Sequence, residues 1–108
     1  MSGKKPTNGS VAIKGMELDV RNSVLKKDDG EEVHLTPKET KLMRLLMEKV
    51  GQVVSRSELM EYVWNTEYLG DTRTLDVHIC WLRQKIEDNP RIPELILTRR
   101  GQGYELRV

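Results

Sequence analysis

Cysteine occurs once in the 108 residues, at Cys80, so no internal disulfide framework exists and a reducing compartment fits the chain. Histidine occurs only at His34 and His78, too few with one thiol for a structural zinc site. No apolar run approaches the ~20 residues a membrane-spanning helix needs. The first ten residues, MSGKKPTNGS, lack the apolar stretch of a secretory signal. Surplus charge is also missing: eighteen basic residues against seventeen acidic give +1, so total charge does not announce a nucleic-acid binder and charge must be read locally. The chain is the size of one domain, too short for a two-domain enzyme with a cleft between the halves. Hydrophobic residues, at 37%, suffice for one modest core beside 32% charged residues.

Residues 1–10 hold Lys4, Lys5, Pro6 and two glycines and read as a flexible linker remnant ahead of a domain spanning 11–108. Four short strands are expected at 11–13, 16–20, 24–25 and 32–35. Met16, Leu18 and Val20 alternate with acids, the period of a half-buried strand. Asp29-Gly30 between two such segments is a hairpin turn. Thr36-Pro37-Lys38-Glu39 is then a capping box with proline at the first helical position. It opens an amphipathic helix through Leu42, Leu45, Leu46 and Val50 that ends near Gly51. Val53-Val54 reads as a short extended link. Ser55-Arg56-Ser57-Glu58 reads as a second capping box, before a helix with Leu59, Met60, Val63 and Trp64 on one face. After a loop at 65–70, a third helix is expected from Asp71 or Thr72 to about Asp88, stopped by Asn89-Pro90 and Pro93. Strands at 95–99 and 104–108, joined through Arg100-Gly101-Gln102-Gly103, complete the order of sheet, three helices and hairpin.

At about 100° per residue, Leu75, Ile79, Leu82 and Ile86 fall on one stripe of the third helix. The opposite face carries Arg73, Val77, Cys80, Trp81 and Gln84, with His78 and Lys85 on one flank and Asp76 and Arg83 on the other. An outward Val77 and Trp81 either lie under another element or meet a partner. An arginine, an apolar group for a thymine methyl and a glutamine suit a major-groove face, although most helices have a polar outer face. In the hairpin, two glycines allow a tight turn that projects an arginine able to enter a minor groove or grip phosphate. An ordinary solvated hairpin would look the same. Residues 73–108 carry seven basic residues against five acidic.

Enzymatic chemistry finds no support. His78 and Cys80, two residues apart on a helix, point about 160° apart and cannot pair as base and nucleophile. Gly101-Gln102-Gly103 is too short for a phosphate loop. No cofactor or metal is implied.

Leu35-Thr36-Pro37-Lys38-Glu39, Val54-Ser55-Arg56 with Leu59 and Val63-Trp64, Asp71-Thr72-Arg73-Thr74-Leu75-Asp76-Val77-His78-Ile79, Leu82-Arg83 with Lys85-Ile86, and Arg100-Gly101-Gln102-Gly103-Tyr104 follow one another in the chain. This succession resembles the OmpR/PhoB-type winged-helix effector domain of bacterial two-component response regulators, over about residues 11–108. The resemblance implies an α+β fold: a winged helix-turn-helix with an N-terminal four-stranded antiparallel sheet, three helices and a C-terminal β-hairpin wing. It implies a non-enzymatic, cytoplasmic, sequence-specific binder of double-stranded DNA that controls transcription. Arg73, Val77, Trp81 and Arg83 would face bases or nearby phosphates. Arg56 and Trp64 would touch the phosphate backbone, Thr98 and Arg100 would act from the wing with Arg100 in the minor groove, and Lys85 and Arg99 are further cations beside them. Asp76 would orient neighbouring basic side chains, and Tyr104 and Leu106 would be wing core. The loop 65–70 matches a segment such activators offer to RNA polymerase.

Relatives pair as tandem dimers on direct repeats, so the isolated domain is expected to be a monomer. Its parent would add a receiver domain, phosphorylated in a phosphorelay from a sensor kinase; no receiver is encoded here, and the chain is either the effector half of such a regulator, the favoured expectation, or a stand-alone relative. Many relatives have basic or small polar residues where this chain has Cys80 and Trp81, which lowers phosphate attraction and changes base preference. The alternative is a winged helix that docks protein through Trp81 and Val77 and has little affinity for DNA.

Overall fold

Leu18, Leu25 and Val33 lie side by side across three neighbouring strands and are all buried, whereas Glu17, Lys26 and Glu32 form the adjacent, exposed row. This is the alternation of a sheet with one wet face. The computed structural model describes residues 10–13, 15–65 and 72–107. Its first four strands, β1 (Ser10–Ile13), β2 (Met16–Asp19), β3 (Val24–Lys27) and β4 (Glu32–His34), form an antiparallel sheet in the order β1-β2-β3-β4. Strand β1 takes in Ser10, the last residue of the expected linker; the rest of that linker lies outside the described residues, as does Val108.

Helix α1 (Pro37–Glu48) starts on the expected capping box. The Glu39 N–H donates to Thr36 Oγ1 at 3.2 Å, and the Thr36 N–H donates to Glu39 Oε1 at 2.9 Å. Such a cap contributes about 1 kcal/mol. The helix buries Leu42, Met43, Leu45, Leu46 and Met47 at the centre of the core.

The expected link at Val53-Val54 is a strand, β5 (Val53–Ser55), which runs without a break into α2 (Arg56–Trp64). Only half of the second capping box forms. Ser55 Oγ accepts from the Glu58 N–H at 3.1 Å, but the Glu58 carboxylate turns to Lys49 Nζ at 2.8 Å, an ion pair that replaces the return hydrogen bond. Helix α3 (Arg73–Ile86) ends two residues before Asp88. Glu87 leaves the helix and its carboxylate accepts the backbone N–H groups of Glu94, Leu95 and Ile96 at 2.8–3.1 Å, capping the turn that follows. Asp71, the other expected start, lies outside the described residues.

Strands β6 (Ile96–Arg99) and β7 (Gly103–Leu106) form the wing hairpin, in a sheet with the order β5-β7-β6. The wing is therefore two strands of a three-stranded sheet. Gly103 pairs with Ser55, and the two backbones approach so closely that a Cβ on Gly103 would overlap the Val54 carbonyl oxygen. Among the described residues no helix is long and apolar enough to cross a membrane.

Candidate nucleic-acid interface

The faces of α3 divide as its periodicity predicts. Leu75, Ile79, Leu82 and Ile86 are buried against the rest of the core. Arg73, Val77, Cys80, Trp81 and Gln84 are exposed, and among the described residues no other element covers the apolar pair: Val77 is 43% exposed and Trp81 47%. These are large apolar groups in water on a helix whose other faces are fully engaged.

One flank is fixed by α2 and the wing. Arg56 donates from Nη1 to Asp76 Oδ1 at 2.8 Å and from Nη2 to Asp76 Oδ2 at 3.0 Å. Its Nη2 also reaches Thr72 Oγ1 at 2.6 Å and the Thr72 carbonyl at 3.1 Å. The Thr72 hydroxyl makes no cap hydrogen bond to α3, and the Arg56 contact is what holds that end instead. The Tyr104 hydroxyl donates to Asp76 Oδ1 at 2.6 Å, so Asp76 joins α2, α3 and β7. Hydrogen bonding from Arg56 holds the Asp76 carboxyl below its ordinary range. Burial, reinforced by the Asp76 carboxylate, pushes the Tyr104 phenol up to about 12. The hydrogen bond to Asp76 raises the Arg56 guanidinium in turn.

Arg83, on the same flank, donates from Nε and Nη2 to the Ile96 carbonyl at 3.1 and 2.8 Å and from Nη2 to Thr98 Oγ1 at 2.8 Å. Its guanidinium lies 5.6 Å from the centre of the Tyr104 ring. The wing is thereby strapped along α3. On the other flank His78 stands between two indoles, 5.0 Å from Trp64 edge-on and 4.9 Å from Trp81. His78 Nδ1 is 2.8 Å from the Thr74 carbonyl. Lys85 Nζ lies 2.6 Å from Glu39 Oε1, whose carboxylate is buried, and so ties α3 to α1.

In the wing, Arg99 Nε donates to Glu105 Oε1 at 2.7 Å. Arg100 is exposed at the turn, beside Gly101 in the left-handed region at φ +75°. Among the described residues Arg100 has no ion-pair partner. The structure thus sorts the sequence-derived site residues into two groups. Val77, Trp81 and Arg100 face solvent, the Arg73 side chain is exposed, and Thr98 is exposed while its hydroxyl accepts from Arg83. Arg56, Arg83, Lys85 and Arg99 are engaged by acidic or carbonyl groups within the domain, and Trp64 is half-buried. Sequence reasoning missed Lys38, whose Nζ sits 5.5 Å from the centre of the Trp64 ring. That contact joins α1 to α2 and has no local signature. The proposed polymerase loop falls outside the described residues except for Asn65, the left-handed cap of α2.

Comparison with known proteins follows the same outline. Residues 30–106 match the family of C-terminal domains of transcriptional regulatory proteins. A probable transcriptional regulatory protein of Picosynechococcus sp. is 53% identical over 75 residues, which cover 69% of this chain and 30% of the relative. The chain thus spans about a third or less of the length of the curated relatives it matches. Among solved structures, the Klebsiella pneumoniae RstA DNA-binding domain in complex with the RstA box superposes with a TM-score of 0.80 at 28% identity, over 91% of this chain and 96% of that one. The Thermotoga maritima response regulator DrrB, an OmpR/PhoB homologue, superposes with a TM-score of 0.77 at 30% identity, over 93% of this chain and 45% of that one.

Proposed function

Since the chain belongs to the OmpR/PhoB family of winged-helix DNA-binding domains, the C-terminal domains of transcriptional regulatory proteins, we propose that it reads duplex DNA with α3 in the major groove and Arg100 in the minor groove. The family regulates transcription and is not enzymatic. The observation that carries the proposal is the asymmetry of α3. Both flanks are locked to neighbouring elements, and on the outer face the side chains of Val77, Trp81 and Gln84 are exposed. A helix held along both flanks and its core face presents its exposed face rigidly.

The roles divide accordingly. Arg73 and the exposed outer face meet bases and adjacent phosphates, and Arg100 and Thr98 act from the wing. Arg56, Trp64, Arg83, Lys85 and Arg99 lie at the rim, where they set the position of the readers, and Arg83, bonded to a carbonyl rather than a carboxylate, lends positive potential to the phosphates. Asp76 directs Arg56 and keeps its own charge paired, which limits repulsion from the backbone. The domain is a monomer in solution and pairs head to tail on direct repeats, where proximity raises a weak single-site affinity. In its cytoplasmic parent, a receiver domain answering a sensor kinase governs that pairing, and residues 65–70 meet RNA polymerase.

Selection of the domain against a random duplex library, followed by sequencing, tests this reading. The expected result is an enriched motif repeated in one direction about 10 bp apart, with binding that weakens steeply as salt rises. No enrichment, together with salt-independent capture of a protein partner lost on Trp81→Ala, would establish a protein-docking domain instead.

A further inference from the structure

Building on that DNA-binding reading, we propose that Trp81 is a specificity-determining residue. With Val77 it selects thymine in the major groove by contact with the 5-methyl group, and His78 is the positioning residue that presents the indole. Val77 and Trp81 are four residues apart and so adjacent on the outer face of α3. They are 43% and 47% exposed. Base readers that work by bidentate hydrogen bonding carry two or more donor or acceptor groups. Valine has none, and the indole has a single donor. Of the groups that bases expose in the major groove, the thymine methyl is the apolar one.

The indole is braced before any contact. His78 packs against it at a centroid distance of 4.9 Å, with the two planes 55° apart. The imidazole is fixed in turn by the Thr74 carbonyl, 2.8 Å from Nδ1, and by the edge contact with Trp64, over which Lys38 lies. A ring already confined loses less freedom on binding.

Charge selects a duplex over an apolar protein surface as the occupant. Arg73 stands one helical turn before Val77 on the same face, and Arg100 projects from the wing. The carboxylate of α3, Asp76, is occupied by Arg56 and Tyr104. An apolar strip bordered by cations complements a groove whose floor carries methyl groups and whose walls carry phosphates.

The test starts from the motif enriched from the random thymine-containing library. Each thymine is replaced singly by deoxyuridine, which keeps the hydrogen-bonding edge and removes the methyl. At one or two positions the wild-type domain should bind about fourfold more weakly, the value of one buried methyl group. Trp81→Ala should bind thymine and uracil duplexes equally at one such position at least and, since Trp81 lies outside the core, should keep the wild-type unfolding midpoint. His78→Ala should reduce the thymine-to-uracil ratio more than it reduces binding to the uracil duplex, which a loss of stability alone would not do. Equal tolerance of uracil at every position overturns the proposal, as does a thymine preference that Trp81→Ala leaves unchanged at every position. Absence of any motif, together with salt-independent capture of a protein lost on Trp81→Ala, overturns the DNA-binding reading itself, a distinct result.

Discussion

The Arg56 guanidinium meets the Asp76 carboxylate at two points, 2.8 and 3.0 Å apart, and Tyr104 donates to the same carboxylate at 2.6 Å. A fork of donors matched to a planar acceptor is geometry that lysine does not reproduce. Arg56→Ala should therefore lower stability by about 1–2 kcal/mol, reduced from the usual value of hydrogen bonds to charged groups because the pair is partly exposed. Arg56→Lys should recover little of it. Urea unfolding of both single variants and the Arg56→Ala/Asp76→Ala double variant measures the coupling; purely additive losses would show that the two residues act independently.

Two titrations bound the stability of this junction. The Asp76 pKa is lower in the fold than its ordinary 3.8, so its contribution is complete above about pH 4 and fades as pH falls through the folded value. The Tyr104 phenol is raised from 10.0 to about 12, so its contribution is complete below about pH 10 and fades as pH rises toward 12. Against wild type, the stability deficit of Asp76→Asn should shrink in acid and that of Tyr104→Phe should shrink in alkali. Unfolding midpoints at stepped pH give both differences, and a deficit constant across either range would contradict the assignment.

The glycines of the wing separate by cause. A Cβ on Gly103 would collide with the Val54 carbonyl, whereas one on Gly101 meets open space and suffers only from φ +75°. Gly101→Ala should cost about 1 kcal/mol. Gly103→Ala should cost about 3 kcal/mol or more, because backbone must move to admit it. Thermal unfolding ranks the two, and the reverse order would refute the close approach of β5 and β7.

Adjacent arginines should behave differently. Arg100→Ala is expected to leave the unfolding midpoint unchanged and to weaken specific DNA binding by about 1–3 kcal/mol. Arg99→Ala removes the partner of Glu105, whose side chain is 11% exposed, and should destabilise the hairpin by about 1 kcal/mol. Parallel melting and titration with the selected duplex distinguish a reader from a brace.

The features legible in the sequence are those set by neighbours along the chain. Thr36 and Glu39 are three residues apart and cap α1 as their spacing predicts. The step of 100° assigns Leu75, Ile79, Leu82 and Ile86 to the core and Val77 and Trp81 to the surface. Features that depend on distant partners were not legible. Strand β5 exists because Val53–Ser55 pairs with β7 some fifty residues later. Glu58 abandons its cap for Lys49, and α3 ends early because Glu87 is drawn to backbone N–H groups beyond it. At the site, residue type alone marks Arg56, Arg83, Lys85 and Arg99 as cations toward DNA. Only the fold shows that Asp76, Ile96, Glu39 and Glu105 engage them first.

Strand β7 lies between β5, which runs directly into α2, and β6, which leads to the wing tip. Under the proposed docking, α3 and the wing are jaws of one caliper set to a fixed opening, with Arg83 as the cross-bolt from α3 to β6. A fixed caliper gauges the angular phase between a major groove and the minor groove next to it. Overwound or underwound duplex would offer those grooves out of phase, and occupancy would follow the superhelical strain of the chromosome as well as its base sequence.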